Sequence, residues 1–120
     1  MEGIERNLLA ILSNFRKSNP GVSGIVISTY DGLPIVCDPR EKGESLCAMA
    51  AAVCNAGVNL GAHMGMKSFR SAIIETDMGT FLISGFDGVV ILVSLRNKEV
   101  AVKKKLPSLL LEIKAALGAE

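Results

Sequence analysis

Tryptophan is absent from this chain of 120 residues, and aromatic residues make up only 4% of it. A core without large flat rings must be built from Ile, Val, Leu, Ala and Met. Such side chains suit close packing of backbones better than the cradling of a flat ligand. An excess of one charge is also missing: 13 Lys and Arg against 12 Asp and Glu leave a net charge of +1. No strong field therefore points to nucleic acid or to an anionic lipid surface. Cysteines are few and odd in number, Cys37, Cys47 and Cys54, with no tight pair spacing. That argues against a secreted disulfide scaffold. The short apolar run Leu8–Leu12 follows acidic Glu2 and Glu5, unlike a secretion signal, so a cytoplasmic protein is expected.

What is present is apolar and small. Hydrophobic residues reach 49%, enough for one domain of ordinary size, expected to run over residues 1–120. From Ser45 to Met66 the chain has 22 residues without one Asp, Glu, Lys or Arg. Its length would span a bilayer, for which about 20 residues are needed. Its content does not fit: Leu46, Val53, Val58 and Leu60 are its only Leu, Ile, Val or Phe residues, Asn55, Asn59 and His63 interrupt it, and no Trp or Tyr flanks it. No membrane span is expected. A helix without charge on any face needs a partner on more than one face.

Ile4, Leu8, Ile11, Leu12 and Phe15 recur at helical spacing over residues 3–17. Glu2 and Glu5 at the start and Arg16 and Lys17 at the end complement the macrodipole, and Asn19, Pro20 and Gly21 stop the helix. Residues 22–30 are β-branched and read as a strand. Asp31-Gly32 is expected to form a two-residue hairpin turn, and residues 33–38 return, with Pro34 placing that strand at a sheet edge. The charge-free helix is expected over about 44–64. Leu46, Met49, Ala50, Val53, Gly57, Leu60 and Met64 form its expected sheet-facing stripe. Ser45, Ala48, Ala52, Asn55, Asn59 and Ala62 form the opposite one. Gly57 and Gly61 each weaken a helix by about 1 kcal/mol, which close packing would offset. Strands follow at 69–76, 80–86 and 89–95, joined by hairpins at Asp77-Met78-Gly79 and Asp87-Gly88. The continuous apolar run VVILV suits a central strand. Asn97 can cap a last helix, which Pro107 is expected to kink or split near Lys105. The triplet Lys103, Lys104 and Lys105 has no neighbouring aromatics for base stacking and reads as a wet helix face. The order α-β-β-α-β-β-β-α makes an α/β (α+β) three-layer α/β/α sandwich around a five-stranded antiparallel sheet.

This ordered set, GVSGIVISTYDGLPIV at 21–36, the Ala-rich second helix and IIETDMGTFLISGFDGVVILVSL at 73–95, resembles the roadblock / dynein-light-chain-seven family. The resemblance implies a sheet in the order 2-1-5-4-3. It implies a homodimer formed by pairing the third strand with its copy and bringing the second helices together. It further implies a non-enzymatic regulator or scaffold of a small Ras-like GTPase, a role that in bacterial members includes GTPase activation. Carried over by position, the dimer interface would include Ala48, Ala52, Asn55, Phe69, Ser71, Ile73 and Glu75. The partner-binding face would include Ala48, Ala52, Asn55, Asn59 and Ala62.

Two other classes compete. A small-molecule sensor of profilin-like or PAS-like build needs a pocket, which the scarcity of aromatics disfavours. A thiol enzyme needs a base beside its cysteine, but Cys54 and His63 lie about 13.5 Å apart along a helix. Cys47, Cys54 and His63 lack the close spacing of zinc ligands, so no metal, cofactor or catalytic residue is expected. GVSG at 21–24 lies before and inside a strand, not between strand and helix, so it is no phosphate cradle.

Overall fold

A computed structural model describes residues 2–66, 68–96 and 100–118. Helix α1 (Glu2–Ser18) leads into β1 (Val22–Thr29) and β2 (Pro34–Asp38). Helix α2 (Gly43–His63) crosses to β3 (Ser71–Glu75), β4 (Gly79–Phe86) and β5 (Val89–Arg96), and α3 (Val100–Leu117) closes the chain. The five strands form one open antiparallel sheet in the order β2-β1-β5-β4-β3. Pro34 does put β2 at an edge, and the apolar run of β5 does lie at the centre, between β1 and β4.

The alternation of side chains along each strand divides the core in two. Ile25, Ile27, Ile91 and Val93 face Leu8 and Leu12 of α1 and Val102, Leu109 and Ile113 of α3. Val26, Val90, Leu92 and Ile83 face Cys47, Ala50 and Cys54 of α2. One helix on one side and two on the other make the three layers. The first helix buries the stripe its spacing indicates, with Ile4, Ile11 and Phe15 packed around Leu8 and Leu12. Its end is fixed by Asn19, whose Nδ2 donates to the Phe15 carbonyl at 2.8 Å while its Oδ1 accepts from Lys105 Nζ at 2.9 Å.

Three local expectations need correction, and a fourth lies outside the described residues. The first hairpin has a three-residue loop: the Thr29 carbonyl accepts from Gly32 N (3.0 Å), Thr29 N donates to the Leu33 carbonyl (3.0 Å), and only Gly32 takes a positive φ, +89°. That is a tight turn followed by a left-handed glycine, which adds one residue to the minimal loop. Asp87-Gly88, with φ of 47° and 84°, is the two-residue turn with both centres left-handed. Strand β3 begins at Ser71 rather than at 69. The last helix continues unbroken through Pro107. Proline in a helix interior costs about 3 kcal/mol. Here Val102 and Leu109, on either side of Pro107, are buried in the same core, so packing holds both halves in one helix. Asn97, expected to cap this helix, lies outside the described residues.

Candidate functional site: the outer face of α2 and the edge of β3

Helix α2 does not present to the sheet the stripe its largest residues suggest. Cys47, Ala50, Ala51 and Cys54 are buried, with Leu46 and Val53 half-buried beside them. Met49 is 57% exposed, Leu60 70% and Met64 72%. The buried face is turned by roughly a quarter turn from the expected one, or one residue position. The cause is steric. Small side chains let the helix approach the sheet closely, and the sheet answers with glycine. A Cβ on Gly85 would stand 2.9 Å from Cys54 Sγ, and one on Gly32 would stand 3.1 Å from Ala48 Cα. With Cys and Ala on the inner face and Leu46 and Val53 at its margin, Met49, Leu60 and Met64 are left outside.

The two flanks of α2 differ. On one, Ala48 lies against Gly32 and Asn55 donates from Nδ2 to the Tyr30 carbonyl at 3.2 Å, so both border the first hairpin. On the other, Gly57 lies against the Phe69 ring, which enters the notch left by its missing side chain. Phe69 is half-buried and packs on the α2 side of the core, just ahead of β3. Between the flanks, Ala52 and Asn59 point outward and are exposed, as is Ala62 nearer the helix end.

Strand β3 is the edge opposite β2 and, among the described residues, pairs only with β4. Its register places Ile73 opposite Leu82 and Ile74 opposite Phe81. Ser71, Ile73 and Glu75 therefore project on the α1/α3 side, and Ala72 and Ile74 on the α2 side. Ile73 is 54% exposed, and Ile74 and Met66 are exposed as well. The outer edge of β3 and the Met and Leu side chains of α2 thus form neighbouring uncovered apolar surface. An uncovered edge of this kind is a template for pairing with another strand, and apolar patches of this kind mark association surfaces.

The cysteines and the histidine do not form a nucleophile pair. His63 is exposed, and its Nδ1 lies 3.1 Å from the Asn59 carbonyl on its own helix. Cys54 is buried on the opposite side, where burial raises its thiol pKa. Among the described residues no group of three or more His, Cys, Asp or Glu side chains gathers at metal-binding distance. Cys37 of β2 and Cys47 of α2 do meet, with their sulfurs 3.8 Å apart. Only the register of strand against helix brings positions ten apart together, and no spacing motif signals it.

An open antiparallel sheet in this order, with one helix across one face and two across the other, defines an α+β domain of the roadblock class. The chain belongs to the Roadblock/LC7 domain family, whose model matches residues 8–95. Myxococcus xanthus MglB is similar in structure, with a TM-score of 0.82 at 15% identity, covering 94% of this chain and 96% of that one. A Roadblock/LC7 domain from Streptomyces avermitilis gives 0.79 at 17% identity, covering 88% and 91%. The gliding protein MglB from Thermus thermophilus gives 0.69 at 12% identity, covering 97% and 87%. No curated protein matches the sequence.

Proposed function

We propose that this chain is a single-domain, homodimeric, non-enzymatic regulator or scaffold of a small Ras-like GTPase, acting in the cytoplasm. The observation that carries the reading is the pairing of an uncovered β3 edge with an α2 whose outer side is apolar and free of charge. Membership of the Roadblock/LC7 family and the likeness to two MglB proteins support the GTPase as partner.

In this reading β3 pairs with its copy and extends the sheet across the dimer. Ala72 and Ile74, on the α2 side of the strand, then lie beneath the seam where the two α2 helices meet. Met49, Leu60 and Met64 cover that seam. Ala52 and Asn59 face away from the sheet and form the centre of the platform offered to the GTPase. Ala48 and Asn55, on the hairpin flank, frame it, and Ala62 extends it toward the helix end. The protein acts on hydrolysis by the bound GTPase, as an activating partner, without supplying a nucleophile or base of its own. Helix α2 is a protein-binding helix and not a membrane span, because its inner face is already committed to the sheet.

The test uses the intact protein immobilised and exposed to extract of its own cell with either GDP or a non-hydrolysable GTP analogue. A small GTPase retained with one nucleotide and not the other, and lost with Ala52→Arg, is the expected result. Circular dichroism must show that the variant stays folded. Retention of no small GTPase under either condition would sink the reading, and so would undiminished capture by a folded Ala52→Arg protein.

A further inference from the structure

We propose that Cys37 and Cys47 form a modification site, a thiol pair that a hydroperoxide converts into an intramolecular disulfide stapling β2 to the first turns of α2. Three observations carry this. The two sulfurs are already 3.8 Å apart, so bonding distance, about 2.05 Å, requires a closure of under about 2 Å. The contact depends on Gly43: a Cβ there would stand 2.6 Å from Cys37 Sγ and 2.8 Å from Cys37 Cβ, and would push that side chain off the helix. Gly43 and Cys47 lie four residues apart on one helix face, so the glycine opens the berth that brings Cys37 to Cys47. Finally, the two thiols differ in access. Cys37 is half-buried and lines a surface cavity of about 550 Å³ whose walls include Arg6, Arg40, Glu5 and Glu44. Cys47 is fully buried behind it.

That asymmetry sets the order of events. Burial, and then the neighbouring Cys37, push the Cys47 thiol up to about 12. Cys47 therefore stays protonated and shielded, and the oxidant meets Cys37 first. The Cys37 thiolate attacks one peroxide oxygen, the O–O bond breaks, and a sulfenic acid forms as an alcohol, or water from hydrogen peroxide, departs with the proton the thiol released. Cys47 sulfur then attacks Cys37 sulfur. The S–O bond breaks, the S–S bond forms, and the hydroxyl leaves as water with the Cys47 proton. Two thiols lose two electrons, and one hydroperoxide is reduced. Cys54 takes no part, since its sulfur lies beneath α2 beside Gly85. Any effect of the staple on partner binding rests on the reading of α2 given above; formation of the bond does not.

The test treats the reduced native protein with hydrogen peroxide at near-equimolar ratio, blocks remaining thiols with a maleimide in denaturant, and measures intact mass. The expected product carries one maleimide rather than three, has lost about 2 Da as two hydrogens, stays unlinked between molecules and is restored by dithiothreitol. Trypsin cuts after Arg40 and Lys42, between the two cysteines. In a Cys54→Ala protein the fragments bearing Cys37 and Cys47 should therefore travel together until reduced. Cys37→Ser and Cys47→Ala should each abolish the mass loss, and if either fails to fold, the Cys54→Ala map decides alone. Accumulation of Cys37 sulfinic acid, a bond between molecules, a bond to Cys54, or three unreacted thiols under conditions that consume a simple thiol would each overturn the proposal.

Discussion

Replacing Gly57 by alanine tests why a glycine sits in the middle of the longest helix. On propensity alone the change should stabilise the protein by about 1 kcal/mol. The structure reverses the sign. An alanine Cβ at 57 would collide with the Phe69 ring, and Phe69 is half-buried in the α2 side of the core. Displacing the ring re-exposes roughly 100 Å², half of what a phenylalanine ordinarily buries, at about 25 cal/mol per Å². That is a cost of about 2.5 kcal/mol, so Gly57→Ala should destabilise by a net ~1.5 kcal/mol. In a Phe69→Ala background the collision is gone, and the same change should stabilise by up to about 1 kcal/mol. Urea denaturation of the four proteins at one fixed concentration gives the cycle, with an expected coupling of about 2.5 kcal/mol. Gly57→Ala stabilising the native sequence, or acting equally in both backgrounds, would refute the notch as the reason for the glycine. The cycle also bears on assembly, because Phe69 leads directly into β3 and fixes where that edge lies against α2.

Three further outcomes are expected. Gly79→Ala should destabilise strongly, by about 2 kcal/mol or more in urea denaturation, because its Cβ would strike the Leu95 carbonyl across the β4–β5 ladder, and backbone cannot step aside. Asp38→Asn should cost about 1 kcal/mol and leave a smaller salt dependence, since Asp38 accepts from Arg16 Nη1 at 2.9 Å and Ser13 Oγ at 3.3 Å and ties β2 to α1. Stability should fall as pH rises from about 9 toward 12: the folded protein keeps the Cys47 proton while the unfolded chain releases it, so alkali favours unfolding. Cys47→Ala should flatten that part of the pH–stability curve, measured by thermal melting under reducing conditions.

The sequence was most legible where one face of an element is buried and the other wet. The α1 stripe follows from that pattern; the edge position of β2 follows from the N–H that Pro34 lacks, the central place of β5 from an apolar run covered on both faces, and the resemblance supplied the strand order. Legibility failed on α2, where hydrophobicity and burial part company. Its largest apolar residues lie outside, and the inner face is Cys and Ala because the helix sits low on the sheet. A reading by side-chain size therefore turns the helix by one residue position. The outward Ala/Asn stripe is exposed along its length, at Ser45, Ala48, Ala52, Asn55, Asn59 and Ala62 alike, with Ala48 and Asn55 also bordering the hairpin. Phe69, just ahead of β3, packs against Gly57 within the chain. Pro107 misleads in the other direction, since local propensity marks a break that core contacts on both sides of it prevent. The Cys37–Cys47 contact leaves no trace in the sequence, because strand–helix proximity is a property of the folded register.

In the proposed assembly a second copy covers the β3 edge and the flank of α2 that carries Met49, Leu60 and Met64. Sedimentation equilibrium of the reduced protein at micromolar concentration tests it most directly. The expected result is a species of twice the 12.7 kDa protomer mass, shifted toward protomer by a charge introduced at Ile74 or Met49. A single species at protomer mass across that range, with the protein folded, would contradict it.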